Sequence, residues 1–152
     1  MKTRLFQTLL LGFILSFSSV SAQNSAYTLI SSKEISQTMV RLHIKTFCDD
    51  KNQVDYEAAC AAVKSVIFYG IPNTRHKAPL LKEGETTSYQ QHTEYFDNLY
   101  YTRIMDFVPR LIMLSKFKKA DKDKSTLYEI DVDVMLLRKD LEKNNVKRTM
   151  GI

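Results

Sequence analysis

Glu129, Asp131 and Asp133 occupy alternate positions, a spacing that sets three carboxylates about 6.6–6.8 Å apart on one face of a β-strand. Such a row suggests a divalent-cation site. Calcium, however, takes about 6–8 oxygen ligands, more than a flat row presents. The better reading is a solvated face matched by opposite charge, from Arg110 and Lys116 on one neighbouring strand or Arg41 and Lys45 on another. Pairs of that kind contribute roughly 0.2–1 kcal/mol each. The three histidines, His43, His76 and His92, are scattered, with no metal-ligand spacing and no serine or cysteine nucleophile close in sequence. No catalytic or metal residue is assigned and no cofactor is expected. If acid–base groups converge only in the fold, the pair to inspect is His43 with Asp131 and Asp133.

Two further groups bear on binding. Cys48 and Cys60 are the only cysteines of the chain, and they lack the CxxC spacing of a redox pair. In an oxidising compartment a disulfide between them competes evenly with two thiols acting as small apolar groups. Arg75, His76 and Lys77 sit in a proline-stiffened loop and form the best candidate for a ligand- or partner-binding patch, against the alternative of a solvated loop. Lys116, Lys118, Lys119, Lys122 and Lys124 are interleaved with Asp121 and Asp123, the composition of a soluble hairpin tip. Tyr95, Tyr100 and Tyr101 would serve a carbohydrate platform. Phe96 and Leu99 share their helix and point to core, which leaves Tyr101 as the one off-stripe ring.

The elements that must position these residues follow from periodicity. From about Ser36 to Phe47, Thr38, Val40, Leu42, Ile44 and Thr46 alternate with Arg41, His43 and Lys45, which predicts a half-buried strand. Tyr56, Ala59, Cys60, Val63, Val66 and Ile67 gather on one side of a helix over about Val54–Tyr69 that ends at Gly70. A long irregular loop over 71–87 follows, with Leu80 and Leu81 able to pin its middle onto the body. Ser88 to Gln91 has the form of a capping box and opens a helix to about Tyr101. Met105–Phe117, mostly buried, and Thr126–Leu136 read as an antiparallel hairpin, with Pro109 favouring an edge or a bulge, before a short helix at about Leu137–Asn145. The expected fold is α+β, a three-stranded, mostly antiparallel sheet with helices packed on one face, in the order strand, helix, loop, helix, strand, strand, helix.

The first 22 residues read as an export signal. Lys2 and Arg4 precede an apolar run of 13 residues, Leu5–Phe17, and the segment closes on Val20-Ser21-Ala22. That run is too short to span a bilayer, which takes about 20 residues. The nearest cysteine is Cys48, so lipid attachment at the cleavage point is not expected. Removal of 1–22 leaves 130 of the 152 residues, with 20 basic against 17 acidic side chains, so the net charge falls from +5 to +3. So mild a balance does not describe a nucleic-acid binder. Residues 23–34 are polar and read as a flexible lead-in, and 35–152 as a single domain.

The Ala58-Ala-Cys-Ala-Ala-Val63 helix and the alternating strand Tyr128–Val134 give the chain a resemblance to small α+β modules of Gram-negative cell-envelope proteins. These include the N-terminal domain of the flagellar assembly protein FlgT and related outer-membrane lipoproteins. The long loop and the aromatic helix depart from that outline. The resemblance implies an accessory, non-enzymatic envelope role and carries over no site residues. The expected function is thus an exported, periplasmic or secreted, binding or accessory protein. Its partner would be an envelope protein or polymer, met through the loop or an exposed sheet edge. The alternatives are a small exported enzyme and an oligomerising structural subunit.

Overall fold

A computed structural model describes residues 27–48, 50, 52–115 and 125–148; the expected signal segment, the lysine-rich stretch over 116–124 and the last four residues lie outside the described residues. Within it, β1 (Tyr27–Glu34) and β2 (Met39–Thr46) form a hairpin. Its turn is held by Ser36, whose Oγ accepts the backbone N–H groups of Thr38 and Met39 at 3.1 and 3.0 Å. Next come α1 (Val54–Lys64), which runs into a π-helical turn at Ser65–Tyr69, then α2 (Glu85–Gln91) and α3 (Thr93–Asn98). A second π turn, Leu99–Arg103, and a 3₁₀ turn, Ile104–Phe107, lead to β3 (Arg110–Ser115), β4 (Thr126–Asp133) and α4 (Val134–Lys143).

The fold is α+β with an antiparallel sheet, as its sequence pattern predicts, but the sheet has four strands, not three, in the spatial order β1-β2-β4-β3. The added strand is β1, which occupies most of the expected lead-in. Two features hide it in the sequence. Its second half, Ser31-Ser-Lys-Glu34, is polar, and a bulge between Leu29 and Ser31 leaves Ile30 out of register and breaks the alternation. The element order is therefore strand, strand, helices, strand, strand, helix.

Smaller corrections follow the same logic. The helix expected to open at a Ser88 cap is two short helices broken at His92, whose φ of −136° and ψ of 44° are not helical. Gly84 holds the cap position, while Ser88 lies inside α2 and its hydroxyl donates to the Glu83 carbonyl. The strand expected from Met105 begins only at Arg110, after Pro109, and it is exposed rather than buried, because among the described residues it pairs with β4 alone and lies at an edge of the sheet. Asp133 ends β4 and caps α4, accepting the Leu136 N–H at 2.9 Å.

The sheet is amphipathic by its pleat. Val40, Leu42 and Ile44 of β2 and Tyr128, Ile130 and Val132 of β4 are all fully buried, while Arg41, His43 and Glu129 between them face the opposite side. Ala58, Ala59, Ala61 and Ala62 give α1 a small-residue surface that packs closely on the buried face. Phe96 centres a second part of the core, with the rings of Phe68, Tyr89, Tyr95 and Tyr100 at 5.2–6.1 Å. Tyr101, by contrast, is 78% exposed.

Candidate functional site

The open face of the sheet carries a connected polar network. Arg41 on β2 grips Asp131 on β4 with two parallel bonds, Nε to Oδ1 at 2.7 Å and Nη2 to Oδ2 at 2.8 Å. Glu129, one pleat along, forms ion pairs with Arg41 Nη1 at 3.5 Å and with Arg110 Nη1, from β3, at 3.0 Å. Strand register causes these meetings: Arg41 and Arg110 both stand opposite Asp131, and His43 and Ile112 opposite Glu129. Asp131 raises the affinity of Arg41 for its proton, chiefly through the hydrogen bond it accepts.

His43 extends this network to the far strand. Its Nδ1 lies 2.7 Å from Ser31 Oγ and its Nε2 3.2 Å from Glu129 Oε2. The acidic partner of His43 is thus Glu129 rather than Asp131 or Asp133. Ser31 has no counterpart in the sequence reading because it falls in the segment read as a lead-in. A serine, an imidazole and a carboxylate in line is the order of a nucleophilic relay. Here, though, the carboxylate is already neutralised by two guanidinium groups, as suits a cross-strand brace. Among the described residues no group of three His, Cys, Asp or Glu side chains is placed to hold a metal ion.

Arg75, His76 and Lys77 are brought together at one end of the long loop, but their side chains do different things. Arg75 binds Glu34 at the end of β1 twice, Nε to Oε1 at 2.5 Å and backbone N–H to Oε2 at 3.1 Å. These contacts, the backbone N–H foremost, hold the Glu34 carboxyl below the usual carboxylate range. The Nε2 of His76 is buried without a hydrogen-bond partner, and burial pushes the imidazole below its ordinary pKa. Lys77 is exposed. The loop itself is closed by Gly70, at φ 74°, and by the bond from Ile71 N–H to the His76 carbonyl at 2.8 Å. A Cβ at position 70 would come within 2.2 Å of the Lys77 carbonyl oxygen, so only glycine fits. Ser32 Oγ adds a bond to the Pro72 carbonyl at 2.7 Å. The loop is therefore tied to the Ser32–Glu34 end of β1.

Cys48 and Cys60 are free thiols in this structure. Cys48 lies near the Tyr128 hydroxyl, which donates to Asp55 in the first turn of α1. At 1.5 Å per residue, Cys60 is about 7.5 Å farther along the helix axis than Asp55. Cys60 packs instead beside Tyr56, and burial pushes its thiol up to about 11. Unreduced, unfolded protein is expected to take up two equivalents of iodoacetamide, and folded protein at pH 8 to react at Cys48 well before Cys60. A mass unchanged by alkylation of the unfolded chain would instead establish the disulfide.

The opposite edge of the sheet is bare. On β3, Ile112, Met113 and Leu114 are 37%, 38% and 50% exposed, and among the described residues no strand pairs with its outer side. Arg110, at one end, already serves Glu129, and in sequence Lys116, Lys118 and Lys119 follow the other end. Pro109 points in the sequence to an edge or a bulge here, but the apolar run reads as buried, and the strand is exposed. No known protein family, curated protein or solved structure matches the chain.

Proposed function

We propose that this chain is an exported, non-enzymatic accessory protein of the cell envelope that binds a partner through the free edge of β3. The observation that carries this reading is the contrast between an exposed apolar strand whose outer side is unpaired among the described residues and the β1 edge, whose Ser32–Glu34 end is tied to the long loop. An edge strand offers main-chain hydrogen bonds to an added strand, and its alternate side chains supply specificity. The basic residues flanking β3 favour an extended apolar segment with acidic flanks. Export rests on the charged start, the short apolar run and the small residues ending at Ala22. Among the described residues no helix is long and apolar enough to cross a membrane.

The test pairs two measurements. Material recovered from cells should begin at Gln23, and a chain retaining Met1 in the cytosolic fraction removes the envelope role. Envelope protein cross-linked to the wild-type chain should be lost with Ile112→Lys and kept with Lys77→Ala. The reverse pattern returns the binding role to the loop, and a cross-link only between copies makes the protein a self-assembling subunit.

One observation favours a second reading. The Ser31–His43–Glu129 alignment would suit an exported hydrolase acting by acyl transfer. Stoichiometric fluorophosphonate labelling, lost in Ser31→Ala, would replace the binding role with that activity. The two guanidinium groups on Glu129 lead us to expect no labelling.

A further inference from the structure

A concave surface lies away from both sheet edges, between the strap Leu80–Glu83, the end of α2 and the C-terminal turn 145–148. Its volume is about 730 Å³, within the range of about 300–1,000 Å³ that suits small-molecule sites. Lys82, Lys147 and Arg148 line it against the single carboxylate of Glu83, and Ser88, Gln91, His92 and Asn145 supply neutral polar groups.

The walls are fixed by the backbone. Leu80 and Leu81 N–H donate to the Val66 and Ile67 carbonyls at 3.3 and 3.0 Å, using acceptors that the end of a helix leaves unpaired. On the facing wall, Val146 and Lys147 N–H both bind the Leu141 carbonyl, at 2.9 and 3.1 Å, and Asn145 takes the left-handed conformation that closes such a turn. The two walls are tied by Lys147, whose Nζ donates to the Leu80 carbonyl at 2.8 Å. An ammonium has three donors, so this bond anchors the charge and leaves two donors for a ligand. Arg148 adds a planar fork suited to two oxygens of one anion.

We propose that this cleft binds a small organic anion carrying phosphoryl or carboxylate oxygens. Lys147 acts as the fixed cation, and Lys82 and Arg148 close on the ligand from the two walls. The site is independent of the β3 edge, so the two can fail separately.

Calorimetric titration of the purified chain with pyrophosphate and, separately, citrate tests this, with glycerol as a neutral control. Binding of either anion in the micromolar-to-millimolar range, weakening with salt, is expected. Pyrophosphate alone indicates a phosphoryl ligand, and citrate alone a carboxylate one. Arg148→Gln and Lys82→Gln should each weaken binding about tenfold, as loss of a charge-assisted hydrogen bond does, while Lys77→Gln leaves it unchanged. Amide signals of Gln91 and Asn145 should shift on titration, and those of Ile112 should not. The proposal is overturned if neither anion binds at millimolar concentration, or if binding survives both variants while their spectra remain those of a folded chain.

Discussion

The two edges of the sheet have opposite fates. At β1 a bulge ejects Ile30, Ser32 and Glu34 bind the long loop, and Arg75 is held against the strand. At β3 Ile112, Met113 and Leu114 are exposed along a strand that, among the described residues, has no second neighbour. Bulges, charged residues and covering loops are the ordinary means of keeping an edge from pairing; both edges carry a register shift, between Leu29 and Ser31 and between Met113 and Ser115, but only β1 also has a loop tied to it. Of the basic triplet whose composition suggests ligand contact, Arg75 is thus committed to β1, and the capacity for strand addition lies at the opposite edge of the sheet.

Releasing the loop should have the largest effect. Gly70→Ala places a Cβ against the Lys77 carbonyl at a backbone conformation that other residues rarely adopt, so the loop must reopen. A loss of about 2–4 kcal/mol is expected by urea denaturation. The variant should also self-associate, because the Ser32–Glu34 end of β1 then loses its ties to the loop. Wild-type stability in this variant would show that the loop contributes nothing to closing the sheet.

The converse change acts on the bare edge. Ile112→Lys and Leu114→Lys alter exposed side chains, so stability should move by no more than about 0.5 kcal/mol. Any partner capture or concentration-dependent mass should nevertheless be abolished. A loss of folding would mean that this strand is packed rather than free.

How far the sequence reveals this contrast depends on what each element does. The strands Met39–Thr46 and Thr126–Asp133 are legible because one face is buried and the other wet, so alternation survives in the residue types. Burial of Phe96 and Leu99 follows from their helical stripe in the same way. The strand Tyr27–Glu34 is not legible, since an edge strand under a polar loop needs no apolar face and its bulge shifts the period. Ser31 escaped notice for that reason, and the His43–Glu129 contact depends on a register that no local pattern encodes. The cleft behind Leu80–Glu83 joins segments more than fifty residues apart, and no spacing rule reaches so far.

Acid should loosen the loop-tied edge in particular. Burial lowers the pKa of His76, with Arg138 and Arg75 also opposing its protonation and Glu34 and the Gln37 backbone favouring it. Its pKa is lower in the folded chain than in the unfolded one. The unfolded state therefore takes up the proton first, and stability falls as the pH drops through about 6.5. Melting temperatures between pH 7.5 and 5 should decline more steeply in the wild type than in His76→Gln. Equal slopes would show that this imidazole is as free to ionise in the fold as out of it.

The smallest effect is expected from Arg75→Ala, and it separates shielding from ligand contact most directly. The Arg75 side chain is 53% exposed and its pair with Glu34 is solvated, so global stability should barely change. The Arg75 backbone N–H remains, and it is the largest cause of the low Glu34 pKa, so that carboxyl should still titrate below the usual range. What the guanidinium adds is coverage. Amide exchange along Ser31–Glu34 should quicken a few-fold in Arg75→Ala, while exchange in β2 and β4 stays unchanged. Partner capture at the β3 edge should be untouched. If exchange is unaltered and capture is lost, Arg75 contacts the partner and the two edges have been assigned the wrong way round.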